Sequence, residues 1–108
     1  MRLTKDAKTI LYTLYKEYEK RRKHGTSKAE SRSFDSAQSI QKDFFPDMLL
    51  EDLEDSLREL GRNDFLDNLY ADGTVYHCAL SDFGISTMES QKKETLLSIA
   101  DFISKFIP

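Results

Sequence analysis

Pro46–Gly61, PDMLLEDLEDSLRELG, decides how the rest of this 108-residue chain is read. Asp47 follows a proline and suits the cap of a first helical turn. Leu49, Leu50, Leu53, Leu57 and Leu60 recur at three- to four-residue spacing, the period of an amphipathic helix. Gly61 stands where a helix commonly ends in a left-handed residue. At ~100° per residue the other side carries Met48, Glu51, Asp52, Asp55, Arg58 and Glu59. Four carboxylates and one cation on that side make a poor match to DNA, whose groove is walled by one phosphate per ~1.7 Å of axis. The face reads either as solvated surface or as a contact for a protein partner through Glu51, Asp52, Asp55 and Glu59.

Outward from this helix, Pro46 ends the preceding one, because the residue before proline is biased away from helix. That preceding helix spans about 35–44, with Phe34, Ala37, Ile40 and Phe44 turned inward. The two form a tight helix–turn–helix. A first helix is expected over about 4–23. Thr4 caps it, and Ala7, Ile10, Leu11, Leu14, Tyr15 and Tyr18 form its buried stripe. Residues 25–33, GTSKAESRS, read as a polar loop with room for a short extended piece.

After Gly61 the pattern changes. Asp72-Gly73 between two apolar stretches predicts a hairpin over about 64–80. Strict alternation would put Val75, His77 and Ala79 on one face and Tyr76, Cys78 and Leu80 on the other. Ser81 then caps a C-terminal helical region over about 82–106. Its apolar arc is wide enough to meet two surfaces. Leu97, Phe102 and Phe106 are the candidate contacts of a homodimer, with closure of a single core as the alternative.

One domain covering 1–108 is expected from this length. The 39% hydrophobic and 32% charged content fits a globular protein. No apolar run approaches the ~20 residues of a membrane span, and MRLTKDAK lacks a signal-peptide core. A single cysteine points to a reducing, cytoplasmic setting.

The net charge of −3 hides a division. Residues 1–33 hold ten Lys and Arg against four acids; residues 34–108 hold six against fifteen. Lys20, Arg21, Arg22, Lys23, Lys28 and Arg32 are the candidate phosphate contacts if DNA binds. Cations also suit a helix C-terminus, so this cluster has a purely structural reading as well. The hairpin carries Asp67 and Asp72, with no Lys or Arg between Arg62 and Lys92. It is poorly made for DNA.

The order of elements is similar to that of winged-helix proteins. Leu80–Glu89, LSDFGISTME, resembles the "L-T-x-x-G-hydrophobic-x-x-hydrophobic-E" signature that follows the wing in many small bacterial members, with Ser81 for the usual Thr. Leu53–Leu66 resembles the end of the third helix in those proteins. The layout over roughly 5–106 also resembles the YjcQ-like family of small bacterial and phage proteins. The resemblance implies an α+β, mainly α fold: a winged helix-turn-helix with a two-stranded wing and a C-terminal helix. It implies no activity and assigns no functional residue.

Catalytic chemistry finds little footing. His77 and Cys78 are strand neighbours that point to opposite faces, and a lone strand cysteine packs as a small hydrophobe. Soft-metal binding needs about four Cys or His ligands, and the chain has three in all. Glu51, Asp55 and Glu59 lack the further oxygen ligands of a hard-cation site. The four glycines stand singly, not as a phosphate-binding loop. No catalytic residue, metal or cofactor is expected. Two functions remain: a non-catalytic protein-interaction or regulatory module, self-associating or not, and a duplex-DNA-binding regulator that uses the basic end of the first helix.

Overall fold

A computed structural model describes residues 2–94. The proposed dimer contacts Leu97, Phe102 and Phe106, with the rest of 95–106 in the expected C-terminal helical region, lie outside them.

The described chain is mainly helical, with one small antiparallel sheet. α1 (Lys5–Lys23) is followed by a one-turn α2 (Lys28–Ser31) and a two-residue β1 (Ser33–Phe34). Then come α3 (Ala37–Phe44), α4 (Leu50–Arg62), the hairpin β2 (Leu66–Ala71) and β3 (Thr74–Leu80), and α5 (Asp82–Glu94). The sheet order is β1-β3-β2, with both pairings antiparallel.

Local chemistry accounts for most of the boundaries. The Thr4 hydroxyl accepts from the Ala7 amide at 3.3 Å and starts α1. The expected stripe of α1 is buried, with Tyr12 added. Gly25 ends the helical stretch at φ 86°, the left-handed region that glycine enters without cost. Ser27 and Ser36 cap α2 and α3 through their hydroxyls. The polar stretch read as loop thus holds a helical turn and the short strand. Ser81 Oγ accepts from Gly84 N at 2.9 Å and opens α5. Asp72 and Gly73, both at positive φ, make the tight hairpin tip.

α4 departs from expectation at both ends. Pro46, Asp47 and Met48 lie outside the helix, so Asp47 does not cap it. The N-cap is Leu49, and no side chain serves there. At the other end Gly61 stays within the helix. The left-handed residue is Asp64, at φ 68°. Phe65 N donates to Leu60 O at 2.9 Å and Asp64 N to Gly61 O at 3.1 Å, the paired bonds of a Schellman ending. What glycine supplies at 61 is space: a Cβ there would stand 2.8 Å from Asn68 Nδ2 on β2.

One core joins α1, α3, α4, the sheet and the start of α5. Ile10, Leu11, Leu14, Leu53, Leu57, Leu60 and Leu80 are fully enclosed within it. The expected strand faces are corrected by a bulge. Leu69 pairs with His77 and Tyr70 with Val75, so Tyr76 is an extra residue in β3. Val75 therefore turns inward with Cys78 and Leu80, while Tyr76 is exposed.

Candidate protein-binding face

α4 carries the acidic residues singled out above, and they are not equivalent. Glu51, Asp52 and Asp55 are exposed. Glu59 instead accepts from Thr4 twice, from the amide at 2.7 Å and the hydroxyl at 2.6 Å. It ties α4 to the start of α1. Glu54, half-buried, accepts from the Val75 amide at 3.2 Å and ties α4 to the hairpin. Arg58, the lone cation of the outer face, donates to the Gly73 carbonyl at the hairpin tip and lies 3.8 Å from Asp55. Glu51, Asp52 and Asp55 are left as the acidic groups turned to solvent.

The N-terminal end of the predicted leucine stripe is rearranged. Leu49, expected inside, is the most exposed large hydrophobic side chain among the described residues, at 69%. Met48, expected outside, is half-buried and packs on the core with Phe44, Phe45 and Leu50. The cause is the later start of α4, which takes both residues off the helical wheel. Phe44, Phe45, Pro46, Met48 and Leu49 line a groove of about 600 Å³ with Asp6, Asp47 and Asp52. An adjoining trough of about 400 Å³ runs on along Thr4, Asp55, Ser56, Glu59 and Arg62. Asp6 and Asp52 line both. Nothing in the sequence pointed to this groove, because Leu49 fitted the buried stripe and Asp47 the cap.

The candidate phosphate contacts divide as well. Arg21 Nε donates to Glu17 at 3.0 Å, and Nη1 donates to Ser33 O at 2.9 Å and Ser31 O at 3.3 Å. Its guanidinium lies 4.6 Å from the centre of the Phe34 ring. Arg32 donates from Nε to Leu80 O and from Nη2 to Asp82, both at 2.8 Å. Lys28 approaches the same carboxylate at 3.5 Å. The hydrogen bond and charge of Arg32, with Lys28 behind it, hold the Asp82 carboxyl below its ordinary value. These three cations thus fasten α1, the 26–34 segment and the start of α5 together. Lys20, Arg22 and Lys23 are exposed, with Arg22 donating to Thr26 O at 3.1 Å.

Cys78 is fully buried, and burial pushes its thiol up to about 12. Such a thiol is a packing group, not a nucleophile at neutral pH. His77 is half-buried on the next strand position. Among the described residues, no three His, Cys, Asp or Glu side chains stand together as metal ligands. No helix among them is long and apolar enough to cross a membrane.

Set against known protein families, curated proteins and solved structures, the chain matches none.

Proposed function

We propose that the chain is a winged-helix module, similar to the YjcQ-like proteins, that acts by binding another protein and not by catalysis. Support for the fold comes from the order helix, short strand, helix, turn, helix, hairpin, with β1 paired to β3. Support for the function comes chiefly from the outer face of α4. In that fold this helix usually enters the DNA groove. Here it presents Glu51, Asp52 and Asp55, and its one cation is drawn aside to Gly73 and Asp55. A phosphate wall would repel such a face along its length. A protein carrying lysine or arginine would be attracted to it.

Fluorescence anisotropy of a labelled random-sequence duplex at low salt tests this reading. The expected result is no binding. Binding that falls steeply with salt and is lost when Lys20, Arg22 and Lys23 are changed to Glu would establish the DNA reading instead. Sizing chromatography of the same samples reports whether the partner is a second copy.

A further inference from the structure

Leu49 breaks two local rules at once. The N-cap of a helix favours Ser, Thr, Asp or Asn, and leucine ranks near the bottom there. A leucine 69% exposed also leaves most of its apolar surface in water. Either fault alone would be ordinary. Their coincidence on the lip of a groove is something the stability of α4 does not account for.

The groove beside it is built in advance. Phe45 N donates to Gln41 O at 2.9 Å and Met48 N to Phe45 O at 3.1 Å. The Gln41 side-chain amide donates to Met48 O at 2.8 Å. These bonds fix the turn between α3 and α4. Phe44, Phe45 and Met48 rest on the core beneath it. A rigid apolar floor of this kind does not need ordering when a ligand arrives. Its rim is of one sign: Asp6, Asp47 and Asp52 are exposed around it, and Asp55 follows in the adjoining trough, whose lining also holds Arg62.

We propose that this groove holds a short amphipathic segment of another protein, whose large apolar side chain sits against Leu49 and Met48 and whose Lys or Arg side chains meet Asp6, Asp47 and Asp52. The proposal rests on the protein-binding reading above and adds the chemistry of the partner. Apolar contact supplies the affinity. The charges supply orientation and reject acidic segments. Asp55 extends the acidic run beyond the apolar floor, so the basic residues of the segment continue past its anchor.

Selection of a random peptide library on the immobilised full chain, followed by affinity measurements on the enriched peptides, tests this. The expected peptides pair a large apolar residue with two or more Lys or Arg. Leu49→Ser should weaken them by about tenfold or more through lost apolar contact, while the melting temperature holds or rises because serine caps the helix. Asp52→Lys should weaken them too, and added salt should do the same. Acidic or uncharged consensus peptides, binding unchanged by Leu49→Ser, or no enrichment at all would each overturn the groove proposal. None of these results decides the broader protein-binding reading, which the duplex-DNA measurement described above tests separately.

Discussion

Glu59 on α4 accepts two hydrogen bonds from Thr4, the residue that caps α1. A side chain that the helical wheel placed on the partner face is therefore part of the scaffold. Thr4 both starts α1 and is held by α4, so the two helices share one polar fastening. Charge-assisted hydrogen bonds are stronger than neutral ones, but this pair is exposed and screened. Glu59→Ala should therefore cost about 1 kcal/mol. Thr4→Ala should cost a similar amount, since it also removes a cap. The double variant should cost less than the sum, because both remove the same contact. Urea unfolding of the three variants measures this.

Asp82 should titrate below an ordinary aspartate, with Arg32 as the main cause. Folding favours its ionised form. Its contribution to stability is thus full above the unfolded value of ~3.9 and is lost as pH falls through the lower folded value. Following the Asp82 carboxyl carbon by NMR should show the lowered midpoint. Arg32→Gln should move that midpoint upward.

Two glycines should respond differently to alanine. At Gly84 a Cβ would overlap the backbone carbonyl of Phe65, which cannot swing away. Gly84→Ala should cost about 2–3 kcal/mol or more, the upper range for overpacking. At Gly61 the obstacle is the end of the Asn68 side chain. That side chain can move, though it would loosen its 2.9 Å bond to Leu57 O. Alanine also favours a helix interior by about 1 kcal/mol over glycine. Gly61→Ala should therefore change stability far less than Gly84→Ala, as thermal melts of the two will report.

Cys78 should resist alkylation in the folded protein at pH 8 and react on unfolding. Its burial keeps both the reagent out and the thiolate population small. Iodoacetamide labelling followed by mass spectrometry, with and without urea, gives the comparison. Rapid labelling of the native chain would mean that β3 opens readily.

Much of this architecture was legible in the sequence. The α1 stripe, the Asp72-Gly73 tip and the Ser81 cap are strong because each depends on residues close in the chain. The failures came where distant contacts decide. Asp47 was a better local cap than Leu49, yet α4 begins later, where Leu53, Leu57 and Leu60 reach the core. Gly61 resembled a helix stop, but it stays within α4 and lies against the Asn68 side chain. The Tyr76 bulge changes which strand residues face inward, and alternation alone gives no sign of it. The site was legible in part. The acidity of Glu51, Asp52 and Asp55 was plain. The internal duties of Glu59 and Arg32 depend on partners about fifty residues away, those of Arg21 on the fold of the 31–33 segment beside it, and the groove on Met48 and Leu49 meeting Asp6.

Site-directed photocrosslinking in living cells tests the central claim most directly. A benzophenone amino acid placed at Glu51 or Asp55 should give adducts with protein, and one placed at Arg22 should not. Adducts with nucleic acid, or protein adducts formed from Arg22 alone, would contradict an account in which the acidic face of α4 is the working surface.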